Sequence, residues 1–118
     1  MIFQFILLSL IFQSISSTRP LSELASLSKT FQKDDEITLY CSAKQGTLPV
    51  TFEWFHRGQP IQSEDNLSIL NLSKKTSTLT VKSASIEHGG VFSCKVTNEF
   101  DSSTSSIEIN VEGNFRLI

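Results

Sequence analysis

The stretch Glu36-Ile-Thr-Leu-Tyr-Cys-Ser42 alternates apolar and polar side chains with a period of two. Successive side chains of a β-strand point to opposite faces, so the apolar residues from Ile37 to Cys41 share one face, and Thr38 and Tyr40 share the other. This alternation predicts a strand with one face buried in a core and one face in solvent. It also places a cysteine among the buried side chains.

The same alternation recurs along the rest of the chain. After the strand at 36–42, strands are predicted at 51–57, 66–70, 77–82, 91–97 and 103–111, with turn residues roughly every 8 to 12 positions. The predicted inward side chains are Ile37, Leu39, Phe52, Trp54, Leu79, Val81, Phe92 and Val96. Short strands of this kind, without a helix longer than one turn, predict an all-β fold in which two sheets pack face to face.

The two ends of the chain are predicted to lie outside the folded domain. Residues 1–17 begin with an almost wholly apolar run, carry no charged side chain and end in small residues, which is typical of a signal peptide. An apolar run of about a dozen residues is too short for a membrane span, which needs about 20 residues in a helix. We expect an N-terminal linker at 18–24, the domain at 25–112, and a tail or the start of a further linker at 113–118.

Cys41 and Cys94 are the only cysteines of the chain, and a secretory leader would deliver them to an oxidising compartment. They allow one pairing, and closing a loop of about 50 residues is expected to stabilise the fold by roughly 4 kcal/mol. Trp54 lies on the inward face of its predicted strand, where its indole can cover the sulfurs. A metal site would need further ligands from His56 and His88, whose spacing does not suggest one. We therefore expect a structural disulfide between the sheets.

The landmarks of this core resemble those of the immunoglobulin superfamily. The Cys41…Trp54…Cys94 spacing is similar to that of the superfamily, and the number of strands is similar to that of its intermediate set. Leu79-x-Val81 and Gly90-x-Phe92-x-Cys94 resemble the two strands that flank its corner. The resemblance covers the whole predicted domain and implies an immunoglobulin-like two-sheet Greek-key sandwich with one inter-sheet disulfide.

Three further stretches resemble a narrower group of proteins. Gly46-Thr-Leu-Pro49 followed by Phe52, Asp65-Asn-Leu67, and Glu87-His-Gly-Gly-Val-Phe-Ser-Cys94 are similar to the variable immunoglobulin domains of arthropod Down syndrome cell adhesion molecules. A leader joined almost directly to such a domain resembles the shortened forms of chelicerates. The resemblance implies a domain, secreted or at the cell surface, that recognises identical domains on apposed cells.

Two positions depart from the family pattern. Phe92 stands where the family has the tyrosine of its corner, so the ring is kept but a hydroxyl that typically contributes about 1 kcal/mol is lost. His88 stands where the family has an aspartate, which puts in doubt the salt bridge often made from that position. A histidine there titrates near neutral pH. A pH switch and an ordinary turn residue both remain open.

No constellation of reactive groups is recognisable in the sequence. His56 and His88 lie on different segments with no nucleophile motif beside them, and no glycine loop or metal-ligand spacing is present. The formal net charge of −2 comes from scattered lysines and carboxylates, without a basic stripe for nucleic acid. We expect no enzyme activity, no cofactor, no small-molecule substrate and no nucleic-acid partner. A membrane would be reached only through an anchor outside this sequence.

Asn66-Leu-Ser68 and Asn71-Leu-Ser73 are sequons for N-linked glycosylation, because neither middle residue is proline. If Leu67 and its alternate neighbours point inward, Asn66 points outward on its strand and can carry a glycan. Asn71 then has the inward parity, so we expect it in the turn that follows the strand. The alternative is that the sequons arise by chance in a serine-rich chain.

Two outward surfaces compete as the binding face. The first belongs to the sheet formed by an edge strand predicted between Thr18 and Ser28 and by the strands at 36–42, 66–70 and 77–82. Its outward side chains include Thr38, Tyr40, Ser42, Thr78, Thr80 and Lys82. The family resemblance implies homophilic pairing there, with strands meeting in antiparallel fashion. The second lies on the opposite sheet and its loops, with Phe55 pointing outward and Phe100 at a loop tip. An outward phenylalanine is also explained by cover from a neighbouring side chain.

Three functions are compatible with these observations. The leading hypothesis is an extracellular recognition domain in cell adhesion that binds an identical domain, as in neuronal or immune self-recognition. The second is a secreted ligand-binding protein, such as an immune pattern-recognition factor or a decoy. The third is a structural spacer domain of a longer receptor.

Overall fold

The computed structural model describes residues 19–113. The predicted signal peptide at 1–17 lies outside the described residues, as does all but the first residue of the predicted tail at 113–118.

Within residues 19–113 the chain forms nine β-strands and one turn of 3-10 helix, Ile86–His88. The strands are β1 (Ser22–Ala25), β2 (Thr30–Gln32), β3 (Ile37–Ala43), β4 (Thr51–His56), β5 (Gln59–Pro60), β6 (Leu67–Ser73), β7 (Thr76–Val81), β8 (Gly90–Thr97) and β9 (Ser102–Glu112). The expectation of an all-β chain without a helix longer than one turn is therefore confirmed for these residues.

The strands form two sheets that face each other across one core. The four-stranded sheet has the order β1-β3-β7-β6, and the five-stranded sheet has the order β2-β9-β8-β4-β5. All pairings are antiparallel except that of β2 with β9, which is parallel. The chain changes sheet between β1 and β2, β2 and β3, β3 and β4, β5 and β6, and β7 and β8. These crossings make the predicted two-sheet Greek-key sandwich.

The alternating residues of the strands supply the core between the sheets. Its buried side chains include Ile37, Leu39, Trp54, Leu79, Val81, Phe92, Val96, Ile109 and Val111. Phe52, Leu67 and Ile69 are partly buried and pack against it. The predicted inward set is confirmed.

Four residues at the centre of this core join the sheets twice. Cys41 of β3 and Cys94 of β8 form the predicted disulfide, with their Cα atoms 6.4 Å apart. Trp54 lies opposite Cys94 in the β4–β8 ladder, and Ser77 lies opposite Cys41 in the β3–β7 ladder. The Trp54 Nε1–H donates a 3.0 Å hydrogen bond to the Ser77 hydroxyl. We call these four residues the core bridge.

The predicted linker at 18–24 overlaps the folded domain, which is a correction to the sequence analysis. Strand β1 already begins at Ser22 and pairs with β3. Pro20 is fully buried, and a side chain at Gly46 would come within 2.7 Å of the Pro20 Cα. Gly46 also has a φ of 113°, which favours glycine. The segment from Pro20 onward therefore packs against the loop after β3 instead of leaving the domain as a linker.

Ser22 fastens β1, an edge strand of the four-stranded sheet, to the five-stranded sheet. Its hydroxyl donates to the Cys94 carbonyl at 3.0 Å and lies 2.6 Å from the Ser105 hydroxyl. Its backbone N–H donates to the Ser103 hydroxyl at 3.0 Å. Because Ser22 is itself buried, these bonds replace water and tie β1 of one sheet to β8 and β9 of the other.

The corner that precedes β8 is closed without a tyrosine hydroxyl. Phe92 is buried and stacks on His56, with their ring centroids 4.3 Å apart. The Gly89 carbonyl accepts hydrogen bonds from His56 Nε2 at 2.8 Å and from Arg57 Nε at 3.1 Å. The polar contacts at this corner therefore come from β4 and from the turn that follows it.

His88 closes the other side of the same corner. Its Nδ1 accepts a 2.9 Å hydrogen bond from the Ser85 backbone N–H, so that nitrogen must be unprotonated. Burial lowers the pKa of His88 below its usual value of 6.5, and the nearby His56 lowers it further. Glu87 and Glu64 act in the opposite direction but are weaker. The fold therefore favours the neutral imidazole.

We predict that Ser22→Ala lowers the free energy of unfolding by about 1–2 kcal/mol, because it leaves buried polar partners unsatisfied. Urea unfolding followed by Trp54 fluorescence measures the change. Ser106→Ala is the matched control, since it removes an exposed hydroxyl pair with Ser93 on the five-stranded sheet, and should cost less than about 0.5 kcal/mol. Equal effects of the two substitutions would contradict the role of Ser22 in holding β1 to the other sheet.

The pKa of His88 is lower in the folded state than in the unfolded chain. Neutral His88 therefore contributes fully to the free energy of unfolding above pH 6.5, and this contribution is lost as the pH falls through the pKa of the folded state. We predict that unfolding free energy measured in urea declines below pH 6.5, and that His88→Gln, which keeps a neutral side chain at every pH, reduces this decline. A decline of equal size in the wild type and the variant would show that His88 is not its source.

Candidate functional site

We call the outward side of the four-stranded sheet the outer sheet face. The strand register orders its side chains in rows. The central row runs Ala25, Tyr40, Thr78, Leu70 across β1, β3, β7 and β6. Tyr40 and Leu70 are both exposed, Leu70 by 58%. The sheet therefore brings a tyrosine and a leucine to one surface, on either side of a threonine.

The rows beside it carry hydroxyl groups. On one side, Thr38 lies opposite Thr80, and their hydroxyl oxygens are 3.4 Å apart. On the other side, Ser42 lies opposite Thr76. Thr38, Thr80 and Ser42 are half-buried, and Lys82 is exposed just beyond the end of β7. The predicted residues of this face thus lie on one surface.

Thr78 corrects the prediction in one respect. Its side chain has the expected outward parity, but the residue is only 7% exposed. The larger side chains of Tyr40 and Leu70 flank it in the same row, and its hydroxyl donates a 3.3 Å hydrogen bond to the Leu70 carbonyl. Thr78 therefore supports the face from below and offers little surface to a partner.

Two further residues, Leu70 and Leu72, belong to this region and were not predicted from the sequence. Strand β6 runs to Ser73 instead of ending at 70, with a shift in register between Asn71 and Ser73. Leu70 takes the parity opposite to Ile69, and Leu72 is 56% exposed beside it. The alternation of this segment indicates that Leu70 and Leu72 face outward. Because the strand was predicted to end at 70, the alternation was not extended to Leu72.

The centre of the outer sheet face carries no charge. Charged groups lie toward its margins, with Glu23 and Lys44 paired at 3.5 Å at one end and Lys82 at the other. A surface of this composition suits another protein surface, because apolar and hydroxyl groups can be buried without leaving an unpaired charge. Nothing in it suits phosphate or a metal, and no group of three or more metal-ligating side chains occurs within residues 19–113.

The residues of the alternative surface do not form one patch. Phe100 is 57% exposed in the turn after β8, where the Asn98 side-chain oxygen accepts from the backbone N–H of Phe100 and of Asp101. Phe55 is only half-buried and lies opposite Pro60 of β5. Thr51 pairs with Thr97 at the end of β8, next to the turn that carries Phe100. Phe55 lies four residues further along β4, which corresponds to about 13 Å at the usual rise per residue.

The two sequons occupy different environments. Asn66 precedes β6 and is half-buried, and its amide forms two 3.0 Å hydrogen bonds with the backbone of Ser83. Asn66 therefore lies one residue before the strand on which it was predicted, although the alternation of β6 gives it the same parity as the exposed Ser68. Asn71 lies within β6 and is exposed, so its predicted place in a turn is wrong, although its exposure agrees with that prediction.

No helix between residues 19 and 113 has the length and apolar character that a membrane crossing requires.

Solved structures with this fold were found by comparison. The Dscam1 Ig7 domain, isoform 9, superposes with a TM-score of 0.75 at 26% identity, covering 80% of this chain and 100% of that one. Isoform 5 of the same domain gives a TM-score of 0.70 at 30% identity, covering 79% and 97%. The expected likeness to immunoglobulin domains of this adhesion molecule is confirmed.

Sequence relatives agree with the structural ones. The cell adhesion molecule Dscam1 of Drosophila melanogaster is 32% identical over 72 residues, which are 60% of this chain and 4% of the relative. Inactive tyrosine-protein kinase 7 of Mus musculus is 35% identical over 75 residues, which are 64% and 7%. The chain thus spans less than a tenth of these relatives, and it is homologous to immunoglobulin domains of adhesion and receptor proteins.

The immunoglobulin I-set domain model matches residues 24–111. This range includes the core bridge and the whole outer sheet face apart from Glu23. Because the match spans most of the sequence, the chain belongs to the immunoglobulin I-set domain family.

Proposed function

We propose that this chain is an extracellular recognition domain in cell adhesion that binds an identical domain on an apposed cell through the outer sheet face. The observation that carries the proposal is the uncharged row of Tyr40, Thr78 and Leu70, in which two large side chains stand exposed. Such a row supplies apolar area for burial, and the hydroxyl rows beside it supply hydrogen bonds at low desolvation cost.

A two-fold pairing suits this face. In an interface with two-fold symmetry each patch contacts its own copy, so a charge at the centre would meet the same charge. The centre of the outer sheet face has none, because Lys82 and the Glu23–Lys44 pair lie toward the margins. A depression of about 230 Å³ beside Thr38 and Tyr40 offers a place for a partner side chain to insert.

The disulfide supports the extracellular location that this proposal requires. The Cys41–Cys94 disulfide is buried at 0% exposure for both residues, and such structural disulfides form and persist in secreted and cell-surface proteins. We place the domain on the secreted or cell-surface side. Weak self-binding by single domains gains strength when many copies meet on two membranes, in a setting such as neuronal or immune self-recognition or axon guidance.

A second candidate function is favoured by one observation. Phe100 is exposed in a turn that the Asn98 amide ties to the Thr47 carbonyl of the β3–β4 loop at 3.1 Å. Leu48, in that loop, is 38% exposed. An aromatic anchor on a braced loop end is typical of a ligand-binding surface, as in a secreted immune pattern-recognition factor or a decoy.

We predict that beads coated with the wild-type chain cluster with like beads, and that Leu70→Asp abolishes clustering. The substitution would bury an unpaired carboxylate at the contact and weaken self-binding at least about tenfold. Phe100→Asp is the matched control, because Phe100 and Leu70 are almost equally exposed, at 57% and 58%. It should leave clustering unchanged.

The reverse pattern, loss of clustering with Phe100→Asp alone, would move the contact to the loop end. If wild-type beads do not cluster at any coating density, self-binding is excluded and a ligand binder or a spacer domain of a longer receptor remains. Circular dichroism and urea unfolding of both variants establish that each is folded before clustering is compared.

A further inference from the structure

The two sequons differ in what their amide groups already do. Asn66 uses both ends of its side-chain amide: the nitrogen donates to the Ser83 carbonyl and the oxygen accepts from the Ser83 N–H, each at 3.0 Å. The backbone carbonyl of Asn66 also accepts from the Lys82 N–H at 3.0 Å. Asn66 therefore fastens the start of β6 to the end of β7.

This pairing conflicts with a sugar on Asn66. To bond the N–H and the carbonyl of one residue, the amide must point its oxygen and one N–H hydrogen in the same direction, so that hydrogen is cis to the oxygen. A glycosylated amide is a secondary amide, and in its favoured trans form the sugar takes the position cis to the oxygen. The sugar would replace the hydrogen that Ser83 accepts, and the cis form that avoids this is strongly disfavoured.

Asn71 has no such conflict. It is exposed, and its side chain makes no hydrogen bond to another residue in the described range 19–113. It sits where the β6–β7 register shifts, in the two-residue irregularity that ends at Ser73. A sugar on its amide would displace no contact between these residues.

Asn71 lies on β6, at an edge of the four-stranded sheet that a glycan could cover. Strand β6 is the last strand of its sheet and pairs only with β7. The first part of its other edge is occupied, because Leu67 bridges to Glu64 and the Ile69 N–H donates to the Ser63 hydroxyl at 3.0 Å. From Leu70 to Ser73 the edge is open, uncharged and flanked by exposed leucines.

An open, uncharged strand edge is a template on which another chain can add a strand, and proteins usually block such edges. Lysines 74 and 75 lie only in the turn beyond it. Asn71 has the parity of Leu67 and Ile69, opposite to that of Leu70, so a glycan there leaves on the side away from the outer sheet face. It would cover the edge and keep the outer sheet face free.

We propose that Asn71, and not Asn66, carries the N-linked glycan of the folded domain, and that this glycan blocks strand addition at the open edge of β6. The proposal does not rest on self-binding through the outer sheet face.

Removing each sequon through its serine tests the site without altering either asparagine. The chain is expressed through the secretory pathway of cultured animal cells, and its intact mass is measured before and after enzymatic deglycosylation. We expect one glycan on the wild type, the same glycan on Ser68→Ala, and none on Ser73→Ala. Asn71→Gln, which keeps the Ser73 hydroxyl bond to the Lys75 N–H, should also lack it.

A glycan that survives Ser73→Ala and disappears with Ser68→Ala would overturn the assignment. So would two glycans on the wild type, or none. Hydrogen exchange at the Ser83 amide gives an independent readout: it should be equally slow in the glycosylated wild type and the bare Ser73→Ala protein, because the Asn66 pair is intact in both.

Sedimentation velocity tests the role of the glycan. Bare Ser73→Ala should form larger species than the glycosylated wild type at the same concentration, whereas Asn71→Lys, which also lacks the glycan but places a charge on the edge, should keep the wild-type distribution. Self-binding through the outer sheet face is present in all three proteins and so does not account for a difference. Identical distributions for wild type and Ser73→Ala would overturn the blocking role.

Discussion

The core bridge is the constraint on which the rest of the structure depends. The Cys41–Cys94 disulfide crosses between the sheets, and the Trp54–Ser77 hydrogen bond crosses beside it. Each cysteine is opposite a member of the second link within its own sheet, Cys41 opposite Ser77 and Cys94 opposite Trp54. A one-residue slip of either ladder would turn these side chains to the wrong face. The two links therefore determine the register of both sheets at once.

The register of the outer sheet face follows directly. Tyr40 and Thr78 are the immediate chain neighbours of Cys41 and Ser77, one on each strand, so they must meet on the opposite side of the same sheet. The core bridge thus sets which side chains of β3 and β7 stand next to each other in solvent. Residues buried in the core therefore decide which exposed residues are neighbours on the outer sheet face.

Much of this arrangement could be predicted from alternation alone. Parity identified the core strands around Leu39, Leu79 and Phe92 and the outward side of Tyr40, because a half-buried strand leaves a period-two pattern. The two cysteines, in a chain for which a leader was predicted, were enough to expect the disulfide. The strands depend on local sequence, and the disulfide has one possible pairing because the chain has two cysteines.

The features that could not be predicted depend on neighbours distant in sequence. Thr78 is buried because Tyr40 and Leu70 stand beside it, which is known only once three strands are in register. Asn66 is held by Ser83, 17 residues away. Pro20 and Ser22 were assigned to a linker because a short polar segment shows no alternation of apolar and polar residues. In the structure Pro20 packs against Gly46 and Ser22 bonds to β9, so the segment belongs to the sandwich.

The disulfide has a mechanical consequence for a domain held at both ends. When tension separates the termini, strands β1 and β2 and the later part of β9 can peel away and lengthen the chain. The segment between Cys41 and Cys94, 53 residues apart in sequence, cannot follow, because the covalent link carries the load past it. At about 3.4 Å per residue this withholds roughly 180 Å of extension. Tyr40 lies just outside this locked loop, whereas Leu70 lies within it, so hard pulling would separate the two large side chains of the outer sheet face while most of the core remained closed.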